Sequence, residues 1–303
     1  MKKLYSIILT TIVICSCSKD LNPQTEGFLM GGAETVNGFD VRWSDFMTEE
    51  QRQVIRDILC EMVPVHGGTF TMGASQDYDP SARANEGPQH IVKLSDYYIC
   101  AHELTRRQVD VLTQVTRSSS SPIQDYQGQY VFYSWEDWDA LLATLKGLTG
   151  LPFDFPTEAQ WEYAARGGQQ SKGYLYPGSN VLSEVWSSVL DETNTSKPNE
   201  LGLFNMADKN SEWCKDFCQP YEDVAMQENP CVMFGKEHVV KGGCHISDSE
   251  YKRWLTSKAT DTSNSFFNSL IDWRLCRSTA RTYSSGRHWD ISCRPVIYFT
   301  EAK

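Results

Sequence analysis

One stretch constrains this chain more than any other, Pro156-Thr157-Glu158-Ala159-Gln160-Trp161-Glu162-Tyr163-Ala164-Ala165-Arg166-Gly167-Gly168. Thr157 and Gln160, three residues apart, spell a capping box that satisfies backbone N–H groups left over at a helix start. Glu158 places negative charge in the first turn, where the helix dipole favours it. Gly167 follows Arg166 and can take the left-handed conformation that ends a helix. Trp161, Ala164 and Ala165 fall at i, i+3 and i+4, an apolar stripe whose small members let a neighbour approach closely. The stretch predicts a short, capped and buried helix on which the rest of the fold packs.

A chain of 303 residues can bury a full core. Nine Trp and fourteen Tyr exclude a chain disordered throughout. A net charge of −11 excludes a nucleic-acid-binding surface, which needs clustered Lys and Arg. At the N-terminus, Lys2 and Lys3 precede an apolar run from Leu4 to Ile14 that is too short to span a bilayer. Residues 1–17 therefore read as a signal peptide. Its end, Ile14-Cys15-Ser16-Cys17, resembles a bacterial lipobox with Cys17 as the lipidated residue. Ser18-Lys19-Asp20 resembles the export tag of bacterial surface lipoproteins. The expectation is a lipid-anchored protein of the cell envelope, at the outer membrane and facing outward.

Residues 18–46 read as a polar tether, most flexible at Gly31-Gly32, whose end packs on the domain through Phe39, Trp43 and Phe46. The domain is expected over 47–303. It opens with a helix at 48–62, capped by Thr48 and Gln51 and striped by Val54, Ile55, Ile58, Leu59 and Met62. With Cys15 in the signal and Cys17 reserved for lipid, eight of the ten cysteines remain, an even number that predicts disulfides outside the cytoplasm. The Cys214–Cys218 spacing lacks a matching His or Cys pair, so zinc is not expected.

Further along, Gly67-Gly68-Thr69-Phe70-Thr71-Met72-Gly73 and Ile91, Leu94, Tyr97 and Ile99 carry strand patterns. Thr105 with Gln108 caps one helix, and Ser134 caps another that carries Trp138, Leu141, Leu142 and Leu145. These pieces, with PNELGLFNM (198–206), SEWCKD (211–216), HVVKGGC (238–244) and the arginine motifs around Arg277, Arg281 and Arg294, resemble the formylglycine-generating enzyme, or sulfatase-modifying factor, family in order and spacing. The central helix string closely matches that family's signature. The resemblance runs from about residue 62 to 298. It implies an α+β fold, a single domain of the C-type-lectin-like kind with short strands, few helices and much irregular structure.

The resemblance also says where chemistry should be. The family's enzyme oxidises a cysteine within a sulfatase Cys-x-Pro-x-Arg motif, using dioxygen and copper held by two thiolates. Those positions, counted back from Arg281, are here Trp273 and Ser278. Soft Cu(I) needs thiolate rather than indole or hydroxyl, so copper is not expected. Cys244 and Cys276 are the remaining candidate pair for a rearranged oxidase site. A structural calcium ion is implied at a block reading here GLFNMADKNSEW, with Glu212, Asp208 and Asn210 as candidate ligands and Lys209 at the family's Asn position.

Arg277, Arg281, Trp273, Trp289 and Tyr283, with Tyr251 and Trp254 nearby, are candidate ligand-binding residues in a polar, aromatic C-terminal third. The arginines are also expected to bridge carbonyls and carboxylates. The expected function is that of a binding or scaffold module for a protein or glycan ligand, a pseudoenzyme that keeps the fold without its copper. Two alternatives stand beside it: an oxidase using the rearranged cysteines, and a surface ligand-binding protein diversified by a retroelement.

Overall fold

Four of the helices begin with a reciprocal capping box, and each box is written locally in the chain. Thr48 with Gln51, Thr105 with Gln108, Ser134 with Asp137 and Thr157 with Gln160 exchange side-chain and backbone hydrogen bonds at these starts. The computed structural model describes residues 29–77, 79–114, 133–186, 197–207, 210–243, 273–288 and 290–298.

In chain order the elements are β1 (Gly32–Val36), β2 (Phe39–Trp43), α1 (Glu49–Cys60), β3 (Met62–Val65), β4 (Gly68–Met72), β5 (His90–Leu94), β6 (Tyr97–Cys100) and α2 (Arg106–Thr113). Next come α3 (Trp135–Thr149), β7 (Phe153–Asp154), α4 (Glu158–Ala165), α5 (Leu182–Val185), β8 (Ser211–Phe217), β9 (Gln227–Glu228) and β10 (His238–Lys241). The chain closes with β11 (Thr282–Ser284), β12 (Ile291–Ser292) and β13 (Val296–Tyr298). The strands form four small sheets, ordered β1-β2, β3-β6-β13-β7, β4-β5-β9 and β11-β10-β8-β12. The fold is the expected mixture of short strands, a few helices and long irregular connections.

The hairpin of β1 and β2 corrects the tether. Val36, Phe39, Val41 and Trp43 alternate inward and join the core with Val54, Ile55, Ile58 and Leu59 of α1. The turn is Asn37-Gly38 with both φ angles positive, at 48° and 84°, which matches the twist of a two-residue hairpin. That dipeptide between apolar alternations was a legible signal. Of the three residues expected to anchor a tether, Phe39 and Trp43 are buried, whereas Phe46 points outward. The first helix also ends sooner than its stripe implied, because Met62 opens β3 in register with Cys100 of β6.

The disulfide expectation fails among the described residues, where none of seven cysteines is joined to another. Cys100 and Cys293 fill one core cluster and Cys214 another, while Cys60 sits exposed at the end of α1. They behave as small apolar side chains.

Helix α4 is buried on all sides. Trp161, Ala164 and Ala165 form the expected stripe, but Glu158, Gln160 and Glu162 are buried as well. Gln160 answers the cap of Thr157, accepting from the Thr157 N–H at 2.9 Å. The two glutamates need cations, which other segments deliver. Replacing Thr157 with Ala removes one half of the capping box and should cost about 1 kcal/mol. A lower urea midpoint with an unchanged slope is the expected reading.

Candidate functional site

The carboxylates of α4 and β8 organise the C-terminal arginines. Glu158 accepts from the Arg281 Nη2 at 2.8 Å and from the Tyr221 hydroxyl at 2.9 Å. The same guanidinium lies 4.2 Å over the Tyr221 ring and donates to the Gln219 carbonyl at 3.0 Å. Glu162 meets the Lys241 ammonium at 3.0 Å and Arg166 at 2.8 Å, all within the core or at its margin. Burial alone would raise the Glu162 carboxyl; Lys241, Arg166 and the Gly73 N–H together hold it below its ordinary value.

Two glycines let this happen. Gly242 and Gly243 follow Lys241 with φ of 65° and 66°. A Cβ at Gly242 would stand 2.9 Å from the Trp161 ring, and one at Gly243 2.2 Å from the Asn210 carbonyl. No side chain fits between this turn and α4.

Arg294 is the most fully bonded cation among the described residues. Its Nε reaches Glu212 at 2.9 Å, its Nη1 reaches the Cys100 and Ala101 carbonyls at 3.0 and 2.7 Å, and its Nη2 reaches the Phe204 carbonyl and Glu212, both at 2.7 Å. Trp161 donates its Nε1–H to the Glu212 Oε2 at 2.7 Å, and the Arg294 Nη2 takes Oε1. Both Glu212 oxygens are therefore committed to Arg294 and Trp161. Asn210 is buried at the strand entrance, and Asp208 lies outside the described residues. Among the described residues no group of three or more His, Cys, Asp and Glu is placed to hold a metal ion.

Arg277 is 1% exposed, with its guanidinium committed to Glu86, to Asp79 at 2.6 Å and to the Thr279 hydroxyl at 3.2 Å. It braces the 79–86 segment. Arg281 and Tyr283, in contrast, both line an open cleft of about 780 Å³. Ala84, Asn85 and Gly87 form one wall, Gly235, Lys236 and Glu237 another, and Cys218, Gln219 and Pro220 complete the lining. The Tyr283 ring is 52% exposed. The Cys218 thiol is half-buried; burial pushes it above its ordinary value against the pull of Arg281, so it meets the cleft as a neutral thiol. The cleft's volume and mixed lining suit a small ligand or one segment of a larger one.

The family's copper positions have a different character. Trp273 begins a single 3₁₀ turn, Trp273–Cys276. Ser278 is 1% exposed, its N–H donates to the Leu175 carbonyl at 3.1 Å, and its hydroxyl has no hydrogen-bond partner among the described residues. Cys276 is buried in an apolar cluster with Val185 and Ala207, against Tyr176, Leu182 and Trp186. The two family positions thus carry an indole and a hydroxyl, neither of which is a donor for Cu(I). Cys244, Trp289, Tyr251 and Trp254 lie outside the described residues, as do Cys17 and the rest of residues 1–28.

Asn85, Gln219, Lys236 and Glu237 were not anticipated. They come from three distant segments, and no spacing in the chain relates them.

Buried carboxylate–arginine knots around one capped helix, on a scaffold of short strands, define a sulfatase-modifying-factor type of domain. The family model for the sulfatase-modifying factor enzyme 1-like domain matches residues 48–278, and the chain belongs to that family. The formylglycine-generating enzyme of Thermomonospora curvata is 25% identical over 273 residues, covering 66% of this chain and 87% of that one. A serine/threonine-protein kinase, pkn1 of Chlamydia pneumoniae, is 26% identical over 221 residues, covering 65% of this chain and 35% of the kinase. The chain thus spans about a third of that kinase's length. Among solved structures, Treponema denticola variable protein 1 superposes with a TM-score of 0.58 at 17% identity, over 89% of this chain and 99% of that one. PvdO from Pseudomonas aeruginosa gives 0.59 at 19% identity, over 78% and 94%. These two likenesses show the fold.

Proposed function

We propose that the protein is a lipid-anchored cell-envelope module that binds a protein or glycan ligand on a sulfatase-modifying-factor scaffold and does not oxidise cysteine. The observation that carries this reading is the buried Ser278 hydroxyl at the second thiolate position of the oxidase. A hydroxyl is a hard donor and cannot replace a thiolate on Cu(I). Around it α4 is capped and every buried glutamate named above is paired to a cation, which supports a scaffold role for the fold.

The ligand's place is the cleft beside Arg281 and Tyr283. Arg281 is already neutralised by Glu158, so it shapes the floor of the cleft rather than capturing an anion. Lys236, Glu237, Asn85, Gln219 and Tyr283 offer both charge signs, amides and one aromatic ring. Such a surface suits a polar ligand with an apolar face. The lipobox-like end at Cys17 and the Ser18-Lys19-Asp20 that follows it support an outer-membrane location.

Mass spectrometry of a Cys-x-Pro-x-Arg peptide incubated with the signal-free chain, Cu(I) and air tests the proposal. The peptide should remain a thiol while a known formylglycine-generating enzyme converts it in parallel. Aldehyde formation would overturn the reading, and Cys244 and Cys276 would then be the first residues to replace.

A further inference from the structure

The described chain begins beside an apolar pair that the domain holds outward. Leu29 and Met47 form an antiparallel bridge, with the Leu29 N–H donating to the Met47 carbonyl at 2.8 Å and the Phe46 N–H to the Leu29 carbonyl at 2.9 Å. Phe46 and Met47 thus both oppose Leu29, a bulge with Phe46 as its left-handed residue, and Met30 follows Leu29 at the same edge. They are 67% and 68% exposed. The Arg52 guanidinium holds the Met30 carbonyl and stacks on Trp43, so the pair is displayed on a braced edge. Phe46 also has a φ of 64°, a left-handed conformation that a bulky residue adopts at a cost. The core lies on the other side of this edge, with Met47 only 1% exposed.

The position of this pair selects its partner. Twelve peptide steps separate Cys17 from Leu29, which reach at most about 40 Å when fully extended. A domain of this size has a radius of gyration of about 18 Å and hence a diameter near 50 Å. An anchor at Cys17 is therefore shorter than the molecule is wide. It holds the Leu29 end, with Met30 and Phe46, within that reach of the bilayer. We propose that Met30 and Phe46 form the membrane-contact patch on which the anchored domain rests.

The surrounding charges narrow the kind of surface. Asp40, Asp45, Glu49 and Glu50 are exposed on the same segment, with Arg42 as the exposed cation among them. The contact is apolar insertion at the headgroup level of a zwitterionic surface, not attraction to anionic lipid. The inference rests on the reading of Cys17 as the lipidated residue.

Hydroxyl-radical footprinting read by mass spectrometry tests it, using the lipidated chain in vesicles of phosphatidylethanolamine and phosphatidylcholine. The non-lipidated chain mixed with the same vesicles is the reference. Met233 and Phe234, 64% and 75% exposed, are matched internal controls. Oxidation of Met30 and Phe46 should fall about threefold on anchoring, while the two controls stay unchanged. Vesicle flotation run alongside separates the two readings. A chain that does not float removes the anchor and the patch with it. A chain that floats with Met30 and Phe46 fully oxidised keeps the anchor and overturns the patch. Equal protection of all four residues overturns it too, because the contact would not be confined to this edge. Protection in the non-lipidated chain that grows with protein concentration would assign the pair to a second copy instead.

Discussion

Replacing Arg294 with Ala should destabilise the domain by about 3–5 kcal/mol, the cost of leaving one partner of a buried ion pair uncompensated. All five N–H donors of this guanidinium are used, two or more toward Glu212 and three toward the carbonyls of Cys100, Ala101 and Phe204. Those acceptors belong to β6, the turn after it and the segment before β8. The substitution therefore unties three parts of the chain at once and strands the Glu212 charge beside Trp161. Lys cannot rescue it, because one ammonium cannot span a carboxylate and three carbonyls. For a domain of this size the loss reads as a fall in Tm of about 10 °C by calorimetry. Adding Glu212→Gln to Arg294→Ala should recover part of the loss, since the stranded charge goes. A melting temperature unchanged in the single variant would mean that the guanidinium is not the tie described.

The second large effect is on pH dependence. Burial, with the Glu158 charge beside it, raises the Asp216 carboxyl from its ordinary 3.8 to about 7, although the Val232 and Glu158 N–H groups work the other way. Burial and the Glu212 charge raise Glu103 likewise, and those two share the Arg294 cation. Between the ordinary carboxylate value and about 7, the folded chain keeps protons that the unfolded chain releases. Stability must therefore fall as pH rises through that window and level off above it. For Asp216 alone the full swing is on the order of 4 kcal/mol.

His238 opposes this trend. Burial holds its imidazole below its ordinary 6.5, so its share of stability is present above that value and lost as pH falls. Glu162 and Glu34, both held low, lose their shares only in acid below the ordinary carboxylate value. The net expectation is a lower Tm at pH 8 than at pH 5. Asp216→Asn should flatten the profile even though it weakens the bonds at the start of α4. An unchanged slope in that variant would assign the dependence to Glu103 instead.

Much of this architecture could be read locally. Thr157 and Gln160 announce the start of α4, and Gly167 takes the expected left-handed turn at φ 89°. The same holds for Thr48, Thr105 and Ser134, because a capping box lies within four residues and needs no distant partner. Asn37-Gly38 announced the first hairpin in the same local way, and an account of that segment from its polar composition alone missed it.

The candidate site was legible only in part. Arg281 and Tyr283 line the cleft, whereas Arg277, four residues before Arg281, faces Glu86 and Asp79 instead. Nothing local distinguishes the two arginines; the carboxylate that claims each one lies more than a hundred residues away in the chain. Glu212, a candidate metal ligand by its motif, is likewise met by Arg294, 82 residues on. The type of each residue, with Trp273 and Ser278 at the family's copper positions, was fixed in the chain itself. Which cation neutralises which buried carboxylate, and which side chains are left to line the cleft, depended on long-range packing. A buried charge must find its partner wherever the fold brings one, and that pairing has no sequence period.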